Sequence, residues 1–305
     1  MVKSLQKKIG ILIGEKYKDC IEKLREKSYN ITSELDRGAQ GIVYNLDDDK
    51  VVKIIDLREN YNINAMNQEI HSYEVLKDTR ITPKIYDVFK CKPENRFSDP
   101  FLGFIIMEKL FQISDPYKIN ISKLISKLHK MHDKDIAHMD IKPDNIMVSK
   151  SDSGSNSKVF FIDFGMAIIY SGGTINFISQ NNFLYKTLDL KNKKEDFVYD
   201  YIRLLIILYL FLSVKKLINA IIKIIEYMKK EAITIKDISG SKKISNYVYT
   251  ELKEYDNLDL YNKFNKIISD IYNLPQNEQI NYLKKEVKNK YVSPIPIINI
   301  IPKVK

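Results

Sequence analysis

Short apolar runs alternating with polar positions dominate the first third of the chain and predict strands over residues 31–35, 42–46 and 51–55. Turn-forming residues at 38–41 and 47–49 separate them. Over residues 61–77 the apolar period lengthens to that of a helix, around Glu69, Ile70, Tyr73 and Leu76, and alternation returns at 84–89 and 103–108. Residues 119–132 are again helical. The short runs 146–148 and 159–162 are strand-like, and the Ser/Asn/Gly-rich stretch 150–157 between them is a flexible hairpin turn. Beyond residue 197 the pattern is helical up to a proline-punctuated tail, 293–305. This order predicts an α+β chain. A small lobe of five antiparallel strands with one inserted helix occupies 31–110, and a larger, mainly helical lobe occupies 111–305. Ahead of them, residues 1–30 carry Leu5, Ile9, Ile13, Tyr17, Ile21 and Leu24 at helical spacing on a basic background. The segment reads as a helix capping the first lobe, with a membrane-surface or partner helix as the other reading.

Composition narrows the class. At 305 residues, 44% hydrophobic and 29% charged, the chain suits a soluble globular protein with a sizeable core, expected to be monomeric. The longest apolar segment, 204–214, is too short to span a bilayer and reads as a buried core helix, so no transmembrane segment is expected. No secretory signal is visible, the run 9–14 being too short and lysine-flanked. Cys20 and Cys91 have no CxxC spacing and are expected to be reduced thiols in a cytoplasmic protein. The compact length and the Lys/Ile/Asn/Tyr-rich composition point to an AT-rich virus or intracellular microbe, and so to host cytoplasm. The net charge of +10 is spread along the chain. It favours acidic partners but is too diffuse to make nucleic acid the expected main ligand.

The chemistry lies in two segments. His138-Met139-Asp140-Ile141-Lys142-Pro143-Asp144-Asn145 runs into an apolar stretch, and Asp163-Phe164-Gly165 follows a second one. Phosphoryl transfer needs few groups: a carboxylate beside the acceptor hydroxyl, and hard oxygen donors that hold magnesium on the phosphates. Upstream, Asp36-Arg37-Gly38-Ala39-Gln40-Gly41-Ile42-Val43 places glycines where backbone must approach phosphate oxygens. Lys53 stands inside an apolar strand, where a charge is costly unless paired.

These motifs resemble those of eukaryotic-type serine/threonine protein kinases over about residues 31–225. The resemblance implies a bilobal kinase fold, ATP and Mg2+ as cofactors, and protein substrates. It implies Asp140 as the catalytic aspartate and Lys142 as the residue steadying the γ-phosphate, with Asn145 and Asp163 as the metal ligands. Gly38, Gly41 and Val43 cover the nucleotide, Lys53 holds its phosphates, and Glu69 is the first candidate to pair with Lys53, with Glu74 as the fallback. After Met107, at the gatekeeper place, Glu108 and Leu110 offer backbone groups to the adenine, while His138 packs under the Asp-Phe-Gly turn. Departures from the family pattern are Asp36 for the first loop glycine, Met139 for an arginine, and Gln180-Asn181 for Pro-Glu at the end of the activation segment 173–181. A methionine cannot grip a phosphorylated loop, which implies an enzyme not switched by activation-loop phosphorylation. Ser179-Gln180-Asn181 and the stretch around Glu69 are similar to the casein kinase one and vaccinia-related kinase group. That similarity and the net charge imply acidic or already phosphorylated acceptors. Asp196 and Asp200 both fit the aspartate that anchors the catalytic loop in kinases.

Two other readings are a pseudokinase scaffold and a small-molecule kinase of the aminoglycoside or choline type. Retention of Lys53, Glu69, Asp140, Asn145 and Asp163 argues against the first. Lys142 and the Phe164-Gly165 pair argue against the second.

Overall fold

The computed structural model describes residues 17–38, 41–47, 49–58, 60–92, 101–113, 119–149, 158–170, 190–240 and 258–288. The expected hairpin 150–157, activation segment 173–181, proline-rich tail and most of the N-terminal amphipathic stretch lie outside the described residues. The chain divides into two compact units, Met1–Leu190 and Lys191–Lys305, so the lobe boundary expected at residue 110 falls inside the first.

In the first unit, helix α1 (Lys18–Glu26) precedes strands β1 (Ile31–Arg37), β2 (Ile42–Leu46) and β3 (Lys50–Asp56). Helix α2 (Asn60–Leu76) then leads to β4 (Ile85–Cys91) and β5 (Leu102–Glu108). The five strands form one antiparallel sheet in the order β1-β2-β3-β5-β4. Because side chains alternate across a sheet, its two faces have different tasks. Tyr44, Leu46, Val52, Ile54, Leu102, Phe104 and Ile106 turn to one face, where Cys20 and Leu24 of α1 complete a buried cluster. Lys53 pairs across the sheet with Val43 on one side and Ile105 on the other, so these three side chains share the opposite face. Helix α2 packs close there: a Cβ on Gly103 would lie 2.2 Å from the Met66 sulfur.

The cysteines correct the sequence reading. Cys20 of α1 and Cys91 at the end of β4 are joined by a disulfide, with a Cα–Cα separation of 5.6 Å. Their 71-residue separation in sequence disguised the pairing. Folding α1 onto the sheet brings both into the same cluster, where each is buried.

The rest of the unit is built of short pieces. Helix α3 (Ile121–His132), capped by the Asn120 side chain on the Lys123 amide, leads to β7 (Ile136–Ala137). β6 (Phe111–Gln112), β8 (Ile146–Val148) and β9 (Val159–Phe161) form a three-stranded sheet in the order β6-β8-β9. β10 (Ile168–Ile169) pairs with β7.

The second unit is helical in its described residues: α4 (Leu190–Phe211), α5 (Val214–Lys230), α6 (Ile235–Gly240), α7 (Leu258–Ile271) and α8 (Gln276–Glu286). The apolar run 204–214, expected as one core helix, is instead shared between α4 and α5. Exposed Ser213 stands at the N-terminal boundary of the second in extended backbone, without a side-chain cap hydrogen bond. On α4, Asp200 is fully buried and Asp196 half-buried. Among the described residues no helix is long and apolar enough to cross a membrane.

Candidate active site

Lys53 reaches the site from the middle of β3, and α2 supplies its partner. The Lys53 ammonium donates to Glu69 Oε2 at 2.8 Å and to Asp163 Oδ1 at 2.8 Å. Lys53 is 9% exposed and Glu69 1%. At that depth a lone ammonium would be untenable, and two carboxylates make it stable. Burial works against the Lys53 charge, but Glu69 and Asp163 outweigh it and hold the amine above its ordinary value. Burial also pushes the Asp163 carboxyl up, yet the Lys53 charge and hydrogen bond win and set it below the usual range. For fully buried Glu69 the balance goes the other way: burial raises it more than Lys53 and Tyr73 pull it down.

Asp163 is placed by strain. Its φ is 61° and ψ 66°, a left-handed conformation that only a rigid surround maintains in a non-glycine residue. The turn over Phe164–Met166 follows, with Phe164 and Gly165 buried. His138 lies against Phe164, ring centroids 4.6 Å apart, under the Asp-Phe-Gly turn as the resemblance implies. The His138 Nδ1 accepts from the Asp140 amide at 3.3 Å, so its Nε2 carries the proton facing the Ile162 carbonyl at 3.0 Å. The ring therefore ties the two motif segments together. Met139, next to it, also has a positive φ of 64° and is buried.

Asp140 is the hub of the second cluster. Its Oδ2 accepts from the Lys142 ammonium at 2.7 Å and from Asn145 Nδ2 at 2.8 Å. The Asn145 amide also bonds the Asp140 carbonyl at 2.9 Å, closing the loop on itself around the turn Pro143–Asn145. The Asn145 carbonyl accepts from the Ile162 amide at 3.0 Å, which holds the two segments in register beside Asp163. With its Nδ2 committed to Asp140, Asn145 keeps Oδ1 as an acceptor, and Asp163 keeps Oδ2. Two hard side-chain oxygens suit magnesium, which takes its other ligands from phosphates and water. Among the described residues no group of three His, Cys, Asp or Glu could hold a metal by itself.

The nucleotide-covering residues sit as follows. The Gly38 amide donates to the Gly41 carbonyl at 2.9 Å, closing the turn between β1 and β2. Gly41 also has a packing reason to be glycine: a Cβ there would stand 2.4 Å from the Ile54 carbonyl oxygen of β3. A Cβ on Gly38 would instead lie 4.0 Å from the Gly41 carbonyl oxygen, an ordinary van der Waals contact. Val43 is half-buried, opposite Lys53. Met107 is buried, Leu110 is buried, and the Glu108 amide already donates to the Lys84 carbonyl at 2.9 Å. What Glu108 can lend to an adenine edge is therefore its carbonyl. One residue escaped the sequence reading: Tyr73, whose hydroxyl reaches Glu69 Oε1 at 2.9 Å. Its spacing of four from Glu69 on a helix was the available signal.

A five-stranded antiparallel sheet with a single helix, a strand lysine shared by a helix glutamate and the Asp-Phe-Gly aspartate, and an Asp-Lys-Asn loop define a protein-kinase fold. Residues 29–186 match the protein kinase domain, which is about half of the chain. The chain belongs to that family, as a divergent member of the eukaryotic type. It is similar to the serine/threonine-protein kinase TOS3 of Saccharomyces cerevisiae, 31% identical over 149 residues, covering 45% of this chain and 25% of that protein. It is also similar to a probable casein kinase I homolog of Encephalitozoon cuniculi, at 26% over 155 residues, 48% of this chain and 47% of the relative. Casein kinase I homolog 2 of Schizosaccharomyces pombe matches at 22% over 151 residues, covering 47% and 34%. The chain thus spans between a quarter and about half of the length of these relatives.

Proposed function

We propose that this chain is a serine/threonine protein kinase that transfers the γ-phosphoryl group of ATP to protein hydroxyls. The observation that carries the reading is the Lys53 ammonium, 2.8 Å from both Glu69 and Asp163 and set beside the Asp140–Lys142–Asn145 cluster. Lys53 binds the α- and β-phosphates, and Glu69 keeps its ammonium aimed. Asp140 orients the acceptor hydroxyl and takes its proton as the new P–O bond forms and the bond to the departing ADP breaks. Lys142, now on Asp140, is within reach to steady the transferred phosphoryl group. Magnesium, when bound by Asn145 and Asp163, neutralises charge on the phosphates. Gly38, Gly41 and Val43 cover the nucleotide, while the Glu108 carbonyl and Leu110 backbone meet the adenine.

Two finer points belong to the same reading. Acceptors are acidic or already phosphorylated proteins, supported by the net charge of +10 and the likeness to casein kinase I homologs. Activity does not wait on activation-loop phosphorylation, because buried Met139 offers no cation to a phosphate.

The test is transfer from labelled ATP to casein in the presence of magnesium by wild type, Asp140→Asn and Lys53→Met. Transfer to serine or threonine that falls by about 10²-fold or more in both variants is expected. Folded wild type that binds ATP without transferring it overturns the reading in favour of a scaffold or a small-molecule acceptor. Peptides with basic flanks outperforming acidic ones would remove the substrate preference alone.

A further inference from the structure

Helix α3 carries three lysines along one face. Lys123, Lys127 and Lys130 are spaced four and three residues apart, so their side chains leave the helix as neighbours. The middle one is the anchor. Its ammonium donates to the carbonyls of Arg80 and Val159 and lies 4.5 Å from the centre of the Phe160 ring. These bonds bring in two further cations, Arg80 itself and Lys158, which immediately precedes Val159. The Phe161 amide donates to the Ile81 carbonyl at 2.9 Å, which fixes the Arg80 segment against β9. Arg80, Lys123, Lys130 and Lys158 are exposed. Among the described residues, no carboxylate forms an ion pair with Arg80, Lys123, Lys127 or Lys130.

Cations gathered this closely repel one another. Burial pulls the Lys127 amine down, and the charges of Lys130, Lys123, Arg80 and Lys158 pull it further, to about 8. An anion laid over the face relieves that repulsion. The face is also narrow. From Lys123 to Lys130 the helix rises about 10 Å, the length of roughly three extended residues. Acids bound it: exposed Asp78 lies two residues before Arg80, and exposed Asp133, 3.6 Å from His129, stands three residues after Lys130. Those carboxylates repel an anionic bilayer, which needs a broader expanse of one sign, whereas a short acidic segment fits between them. The face is separate from the catalytic groups, because the chain from Val159 to Ile162 covers about 10 Å before Asp163 begins.

We propose that the face formed by Arg80, Lys123, Lys127, Lys130 and Lys158 is a docking site, outside the catalytic clusters, for an Asp- or Glu-rich segment of the protein acceptor. This inference rests on the kinase reading and gives the preference for acidic acceptors a place on the molecule. Docking there raises the local concentration of the acceptor without touching the transferred phosphoryl group, so it acts on KM for the acceptor and not on kcat.

The experiment compares the full chain with the double variant Lys123→Glu/Lys130→Glu, and with Lys215→Glu/Lys216→Glu on α5 as a control of equal net charge. All four lysines are exposed, so both variants should fold, and thermal unfolding checks it. Fluorescein-labelled hexaglutamate is titrated into each protein, and phosphorylation is followed with casein and MgATP varied in turn. The α3 variant is expected to weaken hexaglutamate binding and raise KM for casein by about tenfold, with kcat and KM for ATP unchanged. The α5 variant should change either by no more than about twofold. Equal losses in the two variants, or an α3 variant that keeps wild-type hexaglutamate binding or wild-type KM for casein, overturns the proposal. Wild type that captures phosphatidylserine vesicles but not hexaglutamate overturns it in favour of a membrane surface. Wild type that binds hexaglutamate through the α3 lysines but phosphorylates nothing supports the acidic-segment site and removes the kinase reading.

Discussion

Lys53 and Asp163, 110 positions apart in the chain, meet through a 2.8 Å hydrogen bond between ammonium and carboxylate. Lys53 is fixed by strand β3 and Asp163 by a left-handed turn that His138 and Phe164 brace from below. The contact joins the five-stranded sheet to the catalytic segments, and the Glu69 carboxylate shares the same ammonium.

Removing that ammonium should therefore cost stability as well as activity. Lys53→Met leaves Glu69 and Asp163 as two anions without their shared cation, one of them fully buried. Loss of one partner of a buried pair costs about 3–5 kcal/mol. Both carboxylates can recover part of this by taking up protons. The variant should unfold at lower urea than wild type at pH 7.5, with the gap narrowing near pH 5. A gap independent of pH would refute the account.

Gly41→Ala separates packing from nucleotide contact. Its new Cβ would meet the Ile54 carbonyl at 2.4 Å, so β2 and β3 must shift apart. Overpacking of this kind costs about 1–3 kcal/mol, and thermal unfolding of the nucleotide-free protein reads it directly. Gly38→Ala, whose Cβ would make only an ordinary 4.0 Å contact with the Gly41 carbonyl oxygen, should leave the melting temperature within about a degree and alter only ATP binding. Equal thermal effects at the two glycines would contradict the distinction.

The Cys20–Cys91 bond closes a long loop and pins α1 to the sheet. Protein purified without reductant should show both cysteines in one linked peptide pair by mass spectrometry. Reduction, or Cys20→Ser with Cys91→Ser, should lower stability by about 2–4 kcal/mol. Since reducing compartments keep such bonds open, the protein should be less stable there than in an oxidising one. Free thiols in the folded, unreduced protein would show the bond is not formed.

Lys127 carries a pH signature. Its amine donates to the Arg80 and Val159 carbonyls. Burial, followed by the charges of Lys130, Lys123, Arg80 and Lys158, pulls it down from 10.5 to about 8. Between these two values the unfolded chain binds a proton that the native state does not, so this group makes stability rise with pH across that window. Below it, the cost of a charged Lys127 is present in full. The rise should vanish in Lys127→Gln, measured as chemical unfolding at pH 7.5, 8.5 and 9.5. An identical slope in both proteins would contradict the assignment.

Much of this architecture was readable from local pattern. Alternation located all five sheet strands to within about two residues, and the helix around Glu69 followed from its longer apolar period. The segments around Asp140 and Asp163 stand out because each packs several chemical groups into a few consecutive residues. Other features had no local mark. The run 204–214 is apolar but for Ser213, and one serine amid ten apolar residues did not announce that the chain would turn there. Cys20 and Cys91 looked like isolated thiols because pairing depends on how α1 docks, which no spacing rule encodes. Tyr73 looked like one more core aromatic among 20 tyrosines.

By itself the sequence determined the order of elements, the inventory of reactive groups and the motif that carries each, because these depend on neighbours along the chain. Tertiary structure decided which of those groups meet. Lys53, Glu69, Tyr73, Asp163 and Phe164 come from a strand, a helix and a turn, and become one unit only when the sheet, α2 and the Asp-Phe-Gly turn close on each other. The balance of burial against opposite charge that holds Lys53 protonated and Asp163 ionised exists only in that closed arrangement, since solvent removes both effects from the unfolded chain.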